Sequence, residues 1–188
     1  VELPSAEVAK PRPSAAAVIS RKSGLEMEIL LCHRVSEVPS FPDFWAFPGG
    51  GISRVDREVA EDNPSWFSEI QDRESLIALL REMLEEVGIA PDGSGGFQNV
   101  QVEIIDQVNE NKSEWAKLVS EGTLSIDNFN PSLITQRTTP PVAPIRHRNR
   151  FYHIAMGDAS IEPKLPSGRT EFDDFQWWKP KELLEAWL

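Results

Sequence analysis

Leu80-Arg81-Glu82-Met83-Leu84-Glu85-Glu86-Val87-Gly88-Ile89 interleaves apolar and acidic residues and ends on a glycine. Extended back through Leu76 and Ile77, it has helical periodicity. At about 100° per residue, Leu76, Leu80, Met83, Leu84 and Val87 share one face, and Glu82, Glu85 and Glu86 fall opposite, at spacings i, i+3 and i+4. Gly88 is a natural stop just past the last helical residue. The carboxylate pattern is locally unfavourable, because like charges three or four apart cost about 0.2–0.5 kcal/mol per pair. Anions in the last turn also oppose the helix dipole, by about 0.3–1 kcal/mol each. A divalent cation reverses both penalties, and oxygen ligands in this number suit Mg²⁺ or Mn²⁺. The competing reading is a solvated acidic face, and the upstream sequence bears on the choice.

That upstream stretch is Phe44-Trp45-Ala46-Phe47-Pro48-Gly49-Gly50-Gly51, a strand-like aromatic run broken by proline and a glycine triplet. Glycines let backbone amides and carbonyls approach a metal or phosphate closely. Pro48-Gly49-Gly50 followed by Arg81-Glu82-x-x-Glu85-Glu86-x-Gly88 resembles the Nudix hydrolase signature, Gly-x5-Glu-x7-Arg-Glu-x-x-Glu-Glu-x-Gly. The second half matches at every fixed position, and the first half departs. Gly50 and Arg81 lie further apart than the compact motif allows. Counted forward from Gly50, the expected glutamate position holds Asp56; counted back from Arg81, it holds Arg73, with Glu74 one residue late. None of Asp56, Glu58 and Glu74 is assigned as the first carboxylate. The lengthened loop is similar to the branch containing peroxisomal coenzyme A diphosphatases. So is Arg146-His147-Arg148-Asn149-Arg150-Phe151-Tyr152, which resembles that branch's Arg-Phe-Asp-Thr-Arg-Phe-Phe with His147 and Arg148 in place of Phe and Asp.

The resemblance implies a Nudix α/β/α sandwich with a mixed β-sheet, an insertion in the Nudix loop and an extra helical insert. It implies one domain over 14–188 after an irregular lead-in at 1–13, with the chain stopping at Trp187-Leu188 inside a helix, as if the native C-terminus lay further on. The implied activity is metal-dependent hydrolysis of a diphosphate linkage in a nucleoside diphosphate derivative. Coenzyme A or acyl-coenzyme A is the leading substrate; nucleotide sugars, NADH, dinucleoside polyphosphates and a non-catalytic nucleotide sensor are the rivals. By the same resemblance Glu82, Glu85 and Glu86 are metal ligands, Glu82 being a ligand or the general base, with a backbone carbonyl at Gly49 or Gly50 completing the set. Arg81 orients the glutamates. Glu171 is a weaker candidate for a late ligand or base. Arg146, Arg148 and Arg150 offer bidentate phosphate recognition, and on a strand their alternation puts them on one face; the bland alternative pairs them with acidic neighbours. Tyr152 or Trp45 could stack on a base, although core packing is the simpler role for each.

Composition narrows the classes. The chain has 188 residues, 40% hydrophobic and 26% charged, enough for one domain with a sizeable core. A formal net charge of −11 argues against non-specific nucleic-acid binding. Cys32 is the sole cysteine, so no internal disulfide forms and an intracellular, cytoplasmic setting is expected; its apolar surroundings favour a core role. No run approaches the ~20 apolar residues of a membrane span. The expected partner is a small molecule, with a homodimer left open.

Along the chain, Ser14–Ser20 and Leu25–Arg34 suggest a strand hairpin around a turn at Arg21–Gly24, with His33 and Arg34 at its site end. Asn63-Pro64 suggests a cap and first helical residue, with Trp66, Phe67 and Ile70 packing that short helix, and Asp72 a cap for the main one. Pro91–Gly96 suggests a turn, Val100–Ile105 a strand, Ser113–Gly122 a helix with Trp115, Leu118 and Val119 on one face, and Leu124–Pro140 mostly loop. Phe151–Met156 should be a strand. Glu171-Phe172-Asp173-Asp174 leads into a tryptophan strand, and Lys179-Pro180 opens a final helix.

Overall fold

Four small residues, Ser14-Ala15-Ala16-Ala17, set the spacing at the middle of the sheet. In the computed structural model, described over residues 9–67, 70–143, 145–157, 161–168 and 170–187, they belong to strand β1, Arg12–Ser23. β1 pairs antiparallel with β2 (Glu26–Arg34) near its C-terminal end and with β4 (Gly49–Gly51) near its N-terminal end. Along its other edge it pairs parallel with β8 (His147–Ala155), in the register Ser14 to Asn149 and Ala16 to Phe151. β3 (Trp45–Ala46) and β9 (Phe172–Trp178) flank β2, and β7 (Ser132–Thr138) closes the far edge against β8. The result is a seven-stranded mixed sheet, with a separate hairpin of β5 (Ile89–Pro91) and β6 (Phe97–Asn99).

Helices α1 (Arg54–Asp62), α2 (Ile70–Val87), α3 (Val102–Glu110), α4 (Ser113–Ser120) and α5 (Pro180–Trp187) complete the chain. α2 packs on two sides. Leu76, Leu79, Met83 and Val87 meet Ala15, Ala17 and Ile19 of β1, Leu30 and Cys32 of β2, and Tyr152 and Ile154 of β8. Ile77, Leu80 and Leu84 meet a second core made by Val59 and Ala60 of α1, Ile105 and Val108 of α3, and Trp115 and Val119 of α4. Ile77, Leu79 and Leu84 are fully enclosed, each contributing about 1.5–3 kcal/mol. That outweighs the few tenths lost to each acidic pair, so the helix forms despite its third side. This side carries Arg81, Glu82, Glu85 and Glu86, which are 0–7% exposed. α2 ends at Gly88, which has φ 60°; a β-carbon there would come within 2.6 Å of Ile105 Cδ1.

The expected mixed α/β architecture is present, including both helical insertions. Several local expectations are corrected. Val100–Ile105 is not a strand: its alternation coincides with one turn of α3, whose Ile105 and Val108 fill the second core. Asn63 is the C-cap of α1 rather than an N-cap, its amide bonding Val59 O at 3.1 Å. α1 itself has a capping box, Ser53 with Asp56. Leu124–Pro140 contains strand β7, whose side chains are largely exposed, so no buried apolar pattern marks it. Asp72 lies inside the first turn of α2 rather than capping it. Trp66 and Phe67 do pack onto the main body; residues 1–8, the Ile70 side chain and Leu188 lie outside the described residues. Among the described residues no helix is long and apolar enough to cross a membrane.

Candidate active site

Arg81 is the hub of the buried polar side of α2. Its Nε and Nη2 donate to Asp56 Oδ1 and Oδ2 at 2.8 and 3.0 Å, a side-on bidentate pair with both side chains fully buried. Its Nη1 donates to Glu85 Oε2 at 2.6 Å, and Nη2 also reaches Glu82 Oε1 at 2.8 Å and the Gly51 carbonyl at 3.1 Å. Burial by itself disfavours the guanidinium charge, but the bond to Asp56 and the fields of Glu82, Asp56 and Glu85 more than offset it, so Arg81 stays firmly protonated. Asp56 reaches this position because the Ser53 capping box starts α1 there: Ser53 N donates to Asp56 Oδ2 at 2.6 Å, and Asp56 N donates to Ser53 Oγ at 3.2 Å.

The glycine turn and the glutamates are in contact. Gly49 N donates to Glu86 Oε2 at 2.7 Å. Gly49 has φ 152°, and a β-carbon there would overlap the Ala15 carbonyl; one on Gly50 would overlap the Glu82 carboxylate. The turn therefore has to be glycine for the helix to come this close.

The carboxylates repel one another in a place water does not reach. Burial raises Glu82, only partly countered by Arg81 and Lys112. Burial and the charge of Glu82 push Glu85 up to about 7 against the pull of Arg81. Glu86 rises well above the ordinary range through burial and the charges of Glu82, Glu171 and Glu85, with the Gly49 amide opposing. Glu85 Oε1 is buried with no hydrogen-bond partner. A buried acceptor without a donor, inside a cluster of hard oxygens carrying more negative than positive charge, has the chemistry of a divalent-cation site. The side chains as arranged do not converge on one point: among the described residues, no group of three or more His, Cys, Asp or Glu side chains is disposed to hold a metal ion. Their oxygens are instead engaged by Arg81 and the Gly49 amide, so the donor types fit a cation while the arrangement seen is the arginine-bound one.

Glu171 lies at the rim. It pairs with Arg34 at the end of β2, and its charge is felt by Glu86. Lys112, between α3 and α4, comes within 3.9 Å of Glu85 Oε2. The arginines of β8 are placed differently. Arg146 precedes the strand and donates to the carbonyls of Thr139 and Ala9 at 3.0 and 2.8 Å. Arg150 pairs with Asp72, at the opposite end of α2 from Glu86. Arg148 is exposed. Arg148 and Arg150 do share a face, which Arg146 does not join as a strand residue. Tyr152 is core, whereas Trp45 is 37% exposed and packs edge-on against His33 and Trp178. Cys32 is buried, its thiol pushed up by burial and the charges of Glu86 and Asp174, which leaves it unreactive.

Asp56 and Lys112 are the residues that sequence reasoning did not assign. Asp56 was signalled by the forward count from Gly50, since the insertion follows it and leaves that spacing intact. Lys112 carries no sequence signal; only the packing of the α3–α4 insert brings it near.

No family model matches the sequence, and no curated protein matches it. Solved structures do. A Nudix hydrolase from Alicyclobacillus acidocaldarius is similar over 96% of this chain and 84% of its own, at 24% identity and a TM-score of 0.80. The Nudix domain of Shewanella oneidensis NrtR, complexed with ADP ribose, is similar over 98% and 82%, at 14% identity and a TM-score of 0.52. A MutT protein from Methanosarcina mazei Go1 is similar over 95% and 85%, at 16% identity and a TM-score of 0.52. At such identities the likeness speaks for backbone and not for chemistry: the chain has the Nudix fold.

Proposed function

We propose that this chain, as one catalytic unit over 14–188, hydrolyses the diphosphate linkage of a nucleoside diphosphate derivative with the help of Mg²⁺ or Mn²⁺. The observation that carries the proposal is the burial of Glu82, Glu85 and Glu86 against the Gly49–Gly50 turn, when an acidic surface helix would have left them in water. Glu82, Glu85 and Glu86, with the Gly50 carbonyl, would hold the ion. When bound, it supplies neutralisation of diphosphate charge and acidifies water. The chain's own part is positional. Arg81, locked by Asp56, holds Glu82 and Glu85, nearly one turn apart on α2, and the Gly49 amide holds Glu86. Glu82 and Glu171 are the two carboxylates offered for proton transfer from water; Glu171 is kept at the rim by Arg34. Arg148 is exposed and Lys112 half exposed beside Glu85, so either could meet a phosphate as it stands, whereas Arg146 and Arg150 would have to leave their present partners.

The substrate proposal keeps coenzyme A and acyl-coenzyme A first, on the lengthened loop and the β8 likeness. ADP-ribose stands beside them because the NrtR domain was solved with it. A panel of these compounds, NADH and a nucleotide sugar, with Mg²⁺ or Mn²⁺, tests the reading. Glu85→Gln and Glu86→Gln should abolish turnover with the fold intact. Saturable binding with no product from any compound would instead make the chain a nucleotide sensor.

A further inference from the structure

The sheet ends on β7, and the outer edge of that strand is unpaired. Along its inner edge β7 meets β8, from Ser132 opposite His153 to Thr138 opposite Arg148. Among the described residues no other backbone segment bonds to it. Six of its seven residues are exposed, and Leu133 and Ile134 stand side by side at 53% and 54% exposure. A strand edge of this kind presents a row of free N–H and C=O groups, a template for a further strand.

Charge indicates what fits there. The chain carries 30 Asp and Glu residues and a formal net charge of −11, yet none of those acids lies between 128 and 157, the segment that holds β7, β8 and four arginines. Arg150 is paired with Asp72, and Arg146 donates to backbone carbonyls. Arg137, on β7 itself, is exposed and makes no ion pair among the described residues. An edge charge and the break in register between Leu133 and Thr135 both deter pairing with a like strand. A second copy would also set one arginine-rich hairpin against another. For a segment bearing carboxylates the same arginine is a cross-strand partner, and Leu133 and Ile134 offer its apolar side chains a surface.

We infer that the β7 edge takes up an extended acidic segment of a partner protein as one more strand of the sheet, through main-chain pairing. The carboxylates of that segment lie at the Arg137 end and its branched apolar residues at the Leu133 end. Antiparallel addition, the commoner sense, places the acids first and the apolar residues after them along the incoming chain. None of Leu133, Ile134 and Arg137 belongs to the glutamate site on α2, so this docking edge stands or falls apart from the diphosphate reading.

Fluorescence anisotropy with the intact protein and short labelled peptides tests this. The probe has paired N-terminal aspartates followed by alternating valine and threonine, and its control has lysines in place of the aspartates. The aspartate peptide should bind about tenfold tighter or more than the lysine peptide. Arg137→Glu should reverse that preference at an unchanged melting temperature, since the side chain bonds nothing in the fold. Successive N–H groups of a strand point to opposite edges, so N-methylation at alternate residues blocks one edge only. Of the two alternately methylated aspartate peptides, one should bind like the parent and the other should not bind. Absence of binding by the aspartate peptide, equal binding of the two methylated forms, or an aspartate preference that survives Arg137→Glu overturns the docking edge. So does a dimer in sedimentation whose β7 amides are protected from hydrogen exchange, because a second copy then holds the strand.

Discussion

Asp56→Asn removes one charge from the buried pair with Arg81 and changes almost no volume. Two bonds are at stake, at 2.8 and 3.0 Å, between side chains with no exposure to water. Removing one member of a buried pair costs about 3–5 kcal/mol when the other charge is left uncompensated; Glu82 and Glu85 still meet Arg81 here, so the cost sits at the lower end. The asparagine can still accept from Ser53 N, so the α1 cap, which adds about 1 kcal/mol, is mostly retained. An expected loss of about 3 kcal/mol is a large share of the roughly 5–15 kcal/mol that holds a domain folded. Urea denaturation measures it as a lower midpoint at unchanged slope. Asp56→Asn, Arg81→Met and the double variant then form a cycle, and the pair should couple by about 2–3 kcal/mol. Arg81→Met alone should be the worst of the three without metal, since it leaves Asp56, Glu82 and Glu85 facing one another, and divalent cation should recover part of its loss. A cost below about 1 kcal/mol for Asp56→Asn, or single losses that simply add, would refute the idea that Arg81 and Asp56 act as one unit.

Two further outcomes follow from the same geometry. Glu85 has its pKa raised by burial to about 7, so between the usual carboxylate range and pH 7 the native state binds more protons than the unfolded chain. Stability of the metal-free protein should therefore fall as pH rises through that window and level off above it, by up to about 3 kcal/mol; thermal melts from pH 4.5 to 8 measure this, and 10 mM Mg²⁺ should flatten the slope by binding the ionised form. Gly50→Ala would push its new methyl into the Glu82 carboxylate, the movable end of a side chain, so kcat should drop about a hundredfold with only a small change in melting temperature. A normal kcat would mean that Glu82 is not held where the chemistry is.

The second half of the motif was legible because its spacing is fixed by one helix: Arg81, Glu82, Glu85 and Glu86 must share a side of α2 whatever surrounds it. The likeness to the family's ending gave α5, and residue pattern gave β2 and α4. It could not tell Val100–Ile105 from a strand, because residues alternating over so few positions also fit a helix packed on one side, and only the second core selects α3. β7 was invisible since an edge strand with exposed side chains has no hydrophobic pattern to show. The β8 arginines share a spacing but not a destination: Arg150 is drawn to Asp72, a partner 78 positions away. Asp56 was visible as a count and not as a partner, for nothing local to α1 says that Arg81 lies beneath it.

The parallel match of β1 to β8 has a consequence for biogenesis. Ala15 lies beside Arg150, 135 positions later (150 less 15), so the middle of the sheet stays open until most of the chain has left the ribosome. Joining such distant segments carries a loop-closure penalty before any contact rewards it, and topologies of this kind fold slowly. During that interval the alanine-rich first strand offers an unoccupied edge to any neighbouring nascent chain, and it is there that a holdase would be expected to grip.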